Sequence, residues 1–193
     1  FVTKYRIMKP IFLPFFILMI FTFSGYGQQD ATANLSFFNS SLNTLSENPE
    51  QTKKVADYFV KNAESPDQKA AAEYLLFEYE KLYGNSTQSI EHLFEAKKNL
   101  NIDSDSSLKT LVLTAVAQTC RRYGMGSIAT KYLEEASNIH SKIPLETENS
   151  IARIKFYQEQ AQSLVSHDNE QGAIETIKNT ETTHLVGPAH LSE

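Results

Sequence analysis

Leu111–Ala136 reads LVLTAVAQTCRRYGMGSIATKYLEEA. Its second half carries a small residue, a large aliphatic four positions on, and a small residue three further: Ala129, Leu133, Ala136. That spacing puts all three on one stripe of a helix. Small residues at both ends let another helix approach closely, while the aliphatic fills the gap between them. The first half repeats helical spacing through Leu113, Val116, Ala117 and Cys120, and Tyr123-Gly124 makes a turn between the halves. The stretch predicts two helices packed against each other.

Working outward, the same stripe recurs as Ala56-Val60-Ala63, Ser89-Leu93-Ala96 and Ala173-Ile177-Thr180. Four copies predict a repeated helical pair, not one compact core. Helix starts recur in step. Asn48-Pro49-Glu50-Gln51 and Ser65-Pro66-Asp67-Gln68 each offer a cap, a proline at the first helical position and Gln three after the cap. Asp168-Asn169-Glu170-Gln171 repeats this without proline, and Asp105 or Ser104 can cap a helix through Leu108 to Arg122. Stops fall at Gly84, Gly124 and Ser166-His167-Asp168. First helices are expected near 34–46, 67–83, 107–123 and 150–165, and second helices near 49–63, 86–99, 127–140 and 169–180. No alternation is long enough for a strand. The expected fold is all-α: an α-solenoid of about four antiparallel helix pairs over residues 34–183. Residues 28–33 form a flexible leader in this reading, and 184–193 open a further, truncated element, because Gly187-Pro188 is a helix stop followed by a proline suited to a new start.

Composition agrees with a helical globular chain. Of 193 residues 41% are hydrophobic and 21% charged, and only 7 Gly and 6 Pro leave little material for turn-dense β architecture. The first 27 residues stand apart. Lys4, Arg6 and Lys9 are their only charges, an apolar run succeeds them from Ile11 to Phe23, and Ser24-Gly25-Tyr26-Gly27 closes it. This is the tripartite layout of a secretory signal peptide, cut after Gly27, with Met8 as the natural start. An uncleaved anchor would need a spanning stretch of roughly 20 apolar residues, longer than this run. The chain is therefore expected to be exported: periplasmic, or membrane-associated and facing away from the cytoplasm, with membrane contact only through this segment if uncleaved or through a missing C-terminal part. Removing residues 1–27 strips three cationic side chains and no acidic one from a chain whose net charge is already −5, which opposes nucleic-acid binding. Cys120 is the single cysteine and cannot form an internal disulfide.

The layout resembles the tetratricopeptide repeat family, in which pairs of about 34 residues carry preferred residues at fixed positions. The third unit carries most of the likeness: Leu113, Val116, Ala117 and Cys120, the Tyr123-Gly124 turn, then Ala129, Leu133 and Ala136. The fourth adds Tyr157, Ala161 and Leu164 before Ala173 and Ile177. The second adds Leu75, Leu76 and Tyr79, with Leu76 where the family has a small residue. The stripes begin at 56, 89, 129 and 173, so the second and third spacings exceed the family's. The chain also resembles the exported N-terminal repeat region of Bacteroidota signalling and transcriptional regulator proteins, which implies a sensory segment ahead of a membrane span and an output module.

The residues that could carry chemistry are dispersed. Cys120 falls at a packing position, and His92, His140, His167, His184 and His190 make no ligand cluster at i+3 or i+4. No Gly-rich phosphate loop occurs, and Glu78-Glu80 and Glu134-Glu135 read as solvated helix faces. No catalytic residue, metal or cofactor is expected. In stacked helix pairs the first helices line a concave groove. The register puts Glu73, Glu80, Lys81, Thr114, Gln118, Arg121, Lys155, Gln158 and Gln162 there, a polar set suited to peptide amides, with Arg121 shaped for a bidentate carboxylate contact. Phe37, Phe38, Tyr58 and Phe59 are expected to pack the first pair against the second. The function expected is non-catalytic recruitment of a protein or peptide, as the sensory or scaffolding part of a longer signalling protein. A freestanding envelope scaffold is the alternative.

Overall fold

The computed structural model describes residues 35–144 and 150–185, and these contain eight helices and no strand. The expected signal segment (1–27), the leader (28–33) and residues 186–193 lie outside the described residues. The helices are α1 (Ser36–Thr44), α2 (Pro49–Asn62), α3 (Pro66–Tyr83), α4 (Ser86–Asn99), α5 (Ser106–Arg122), α6 (Gly126–His140), α7 (Ser150–Val165) and α8 (Glu170–Leu185).

Local chemistry sets most of these bounds. Pro66 opens α3 behind Ser65, whose hydroxyl accepts from the Gln68 amide (3.2 Å), while Gln68 Oε1 accepts from the Glu64 amide (2.7 Å). Asp105 Oδ1 caps α5 through the Leu108 amide (2.8 Å). The Asn48 side chain makes no cap bond, so Pro49 alone marks the start of α2. Gly124 ends α5 with φ +74°, and Met125 N–H donates back to Cys120 C=O (2.9 Å), a Schellman-type stop that needs the left-handed backbone. The Asp168 cap expected for α8 is displaced by one residue. Asp168 itself takes φ 58° to end α7, and Asn169 Oδ1 caps α8 through the Gly172 amide (3.0 Å). α8 also runs on through Leu185, five residues past its expected end, so 184 and 185 belong to it.

Gly84 lets α3 turn into α4. A Cβ there would lie 1.7 Å from Glu80 Oε2. The Glu80 carboxylate uses that space to fold over the turn and accept the Asn85 amide (3.0 Å), which helps satisfy the amides at the start of α4.

Consecutive helices from α2 to α8 pack on one another, and α5 packs on α7 as well. α3 and α4 run antiparallel: Glu73 meets His92, whereas Phe77, later in α3, accepts at its carbonyl from Ser89, earlier in α4 (3.1 Å). α3 and α5 share a direction, because Asp67 Oδ2 at the start of α3 accepts the Asp105 amide at the start of α5 (2.8 Å). α3 and α5 are the central helices. Ala70–Glu78 and Thr110–Ala117 are buried without a break, so neither helix keeps a purely solvated face over that span.

The stripes face neighbouring helices to different extents. Ser89, Leu93 and Ala96 are all buried. Ala56, Ala129, Ala136 and Ala173 are buried, while Val60, Ala63 and Leu133 are half-buried. Leu113, Ala117 and Ala161 of the first helices are buried too. Leu133 packs against a cluster of Leu113, Ala136 and Phe156. Ile177 departs from the packing expected of it and is 51% exposed, because no helix among the described residues other than α7 packs on α8. The aromatics at the start divide. Phe37 stacks on Phe59 (ring centroids 3.8 Å apart), Phe38 meets Tyr74 of α3 edge-on (5.9 Å), and Tyr58 is exposed.

Candidate functional site

α3, α5 and α7 together line a pocket of about 140 Å³. Tyr74, Glu78 and Lys81 come from α3, Leu111, Thr114, Ala115 and Gln118 from α5, and Lys155 and Gln158 from α7. Five of the nine residues expected in a groove therefore meet here: Lys81, Thr114, Gln118, Lys155 and Gln158.

A carboxylate sits at the centre of this wall. Glu78, expected on a solvated face, is only 4% exposed. It accepts from Tyr74 Oη (2.8 Å), from Lys81 Nζ (2.8 Å) and from Lys155 Nζ, so a charge on α3 is neutralised from α3 itself and from α7. Burial pushes the Glu78 carboxyl up, but the two ammonium groups outweigh it and hold the group below its ordinary value. Burial raises the Tyr74 phenol well above its usual range, reinforced by the Glu78 charge, so it stays a donor. Lys155 also lies 5.9 Å from the Tyr74 ring centroid.

Thr114 is the open position in the wall. It is 3% exposed, and its hydroxyl has no hydrogen-bond partner. A helical threonine ordinarily satisfies its hydroxyl on the carbonyl a turn earlier. An unsatisfied buried hydroxyl costs about 1–3 kcal/mol, which a ligand atom reaching it would recover.

The other expected groove residues are committed elsewhere. Arg121 Nε and Nη2 donate to Glu159 Oε1 (2.7 Å) and Oε2 (2.9 Å), and Nη2 also reaches Gln162 Oε1. The bidentate carboxylate contact foreseen for a ligand is thus made inside the molecule, by a glutamate that is 1% exposed. These hydrogen bonds, opposed by burial, raise the Arg121 guanidinium further. Glu73 Oε2 pairs with His92 Nδ1 across 2.7 Å, accepting when that ring nitrogen carries the proton, and Glu80 closes the α3–α4 turn.

Sequence reasoning missed Glu78 and Glu159. The signal for Glu78 was present: a carboxylate beside an unbroken buried run has to be paired. Glu159 had no comparable local signal, since its partner lies 38 residues away on another helix.

Cys120 is buried and unbridged, and burial raises its thiol, which makes it a packing residue and a poor nucleophile. His140 is lowered by burial and by Arg153, and its ring lies tilted against Phe156 and edge-on to Tyr157. Among the described residues no three His, Cys, Asp or Glu side chains gather as a metal site, and no helix is long and apolar enough to cross a membrane. No family model matches the chain, and neither a curated protein nor a solved structure matches it.

Proposed function

We propose that this chain is a non-catalytic binding module, an α-solenoid of tetratricopeptide-like helix pairs that captures an extended peptide or protein segment along α3, α5 and α7. The supporting observation is the pocket those three helices line, with the unpartnered Thr114 hydroxyl in its wall. Side-chain ties from α3 to α5 (Asp67 to the Asp105 amide) and from α5 to α7 (Arg121 to Glu159) also favour stacked pairs. Gln118 and Gln158 supply donors and acceptors that match a peptide's amides.

The location proposed is outside the cytoplasm, on the strength of the positive start and short apolar run before Gly27. The role proposed is the sensory or scaffolding part of a longer signalling protein of Bacteroidota type. A reading frame that continues into a membrane span and an output module supports the sensor, and one that does not supports a freestanding scaffold.

The binding experiment is selection of displayed random peptides on the purified chain, with calorimetry of the selected peptides. Micromolar binding that weakens at least about tenfold in Gln118→Ala/Gln158→Ala supports the reading, on the scale of one or two lost hydrogen bonds. Peptides that bind that variant as well as the parent, or failure to select any, would refute it.

A further inference from the structure

The charged residues lining the α3–α5–α7 pocket are Lys81, Lys155 and Glu78. One carboxylate therefore faces two ammonium groups, and the lining keeps a surplus positive charge although the whole chain is acidic, at −5. An ammonium has three N–H donors. Glu78 occupies one on each lysine, and both side chains stay partly exposed with donors to spare. Burial pushes the Lys155 ammonium down from its ordinary value; Glu78 opposes that shift and Lys81 adds to it. The remaining donor is the Thr114 hydroxyl of α5, buried in the same wall and without a partner.

We propose that this pocket takes a tetrahedral oxyanion of the phosphate class, held by Lys81 of α3, Thr114 of α5 and Lys155 of α7. The proposal rests on the reading of the pocket as a ligand site and names the group it takes. Charge selects an anion, because a negative group cancels the surplus, and an uncancelled cation in a part-buried wall is unfavourable. Shape selects the tetrahedral class. The donors come from three different helices and so approach from three sides. A phosphoryl group offers three strong acceptor oxygens, one for each helix, whereas a carboxylate offers two in one plane. The pocket, at about 140 Å³, is roughly ten times the minimum space one water needs, which leaves room beside the anion for the rest of a ligand against Gln118 and Gln158. The oxyanion arrives free or as a phosphomonoester on a larger ligand, and the chemistry that holds it is the same.

The test is calorimetry of the purified chain in phosphate-free buffer at fixed ionic strength, with inorganic phosphate, phenyl phosphate and acetate as probes. Phosphate is expected to bind with a Kd on the order of 1 mM. Thr114→Val keeps the side chain's shape, loses only an unpartnered hydroxyl and should fold as well as the parent. It is expected to weaken phosphate binding about tenfold, and Thr114→Ser to retain it. Lys81→Gln leaves Glu78 paired with Lys155 and removes the surplus charge, with a similar loss expected. Tighter binding of phenyl phosphate than of phosphate assigns the group to a larger ligand, and the reverse order assigns it to the free ion; either supports the site. No phosphate binding at about 50 mM, an affinity unchanged in Thr114→Val or in Lys81→Gln, or acetate bound as tightly as phosphate would overturn the proposal. Peptide is absent throughout. Phosphate binding without selected peptides therefore removes the peptide reading alone, and selected peptides without phosphate binding remove the oxyanion alone.

Discussion

Arg121, at the end of α5, grips Glu159 of α7 through two hydrogen bonds of 2.7 and 2.9 Å. The carboxylate lies almost wholly inside the protein, and the guanidinium is its counter-charge. Taking such a carboxylate out of water costs several kcal/mol, and only a well-aligned, multiply bonded partner offsets that cost. Arg121 is therefore a tie between helices before it is a ligand group.

Removing it alone should be severe. Arg121→Ala strands Glu159 and is expected to cost about 3–5 kcal/mol, whereas Arg121→Met with Glu159→Leu should recover most of the loss. Urea unfolding of the two variants measures the difference. A near-neutral Arg121→Ala would mean that Glu159 finds water or another donor.

Glu78 should make stability pH-dependent on the acid side. Its folded-state value is depressed, so its contribution is fully present above the ordinary glutamate value of 4.5 and is lost as pH falls through the lower folded value. His140, also depressed in the folded state, adds a loss that begins higher, as pH falls below 6.5. Tm recorded from pH 7 to 3 should fall in both ranges, and Glu78→Gln should flatten the lower range only.

The α3–α4 turn offers a coupled pair. Gly84→Ala puts a methyl where the Glu80 carboxylate lies and should cost about 1 kcal/mol through loss of its bond to the Asn85 amide. Glu80→Ala removes the same bond by another route. The double variant should then be little worse than either single one, and chemical denaturation of the full cycle tests that.

Overpacking the stripe should separate covered positions from open ones. Ala136 is fully buried against Leu113 and Phe156, so Ala136→Phe should cost about 1–3 kcal/mol or more, and Ala129→Phe a similar amount. Silent thermal melts for both would mean that those helix contacts are loose.

The helices were legible because their signals are local. Caps, prolines at first positions and Gly stops act within a few residues, so α2 through α7 all lie within a residue of expectation. Asp168 shows where that fails. Asp and Asn both cap helices and both tolerate positive φ, and only the path of the chain decides that Asp168 ends α7 while Asn169 begins α8. Ile177 shows a second failure, since helical spacing says which residues share a face but not whether anything covers that face.

The candidate site was legible only as a set of polar residues on first helices. The sequence by itself determined that Thr114, Gln118, Arg121, Lys155 and Gln158 fall on such helices, because periodicity sets side-chain direction within a helix. Which of them stay free was decided by tertiary structure. Arg121 is taken by Glu159, and Lys155 reaches Glu78 from 77 residues away, while the Thr114 hydroxyl is left without a partner. Charge pairing depends on distances of a few ångströms between helices, and those distances exist only once the helices have packed.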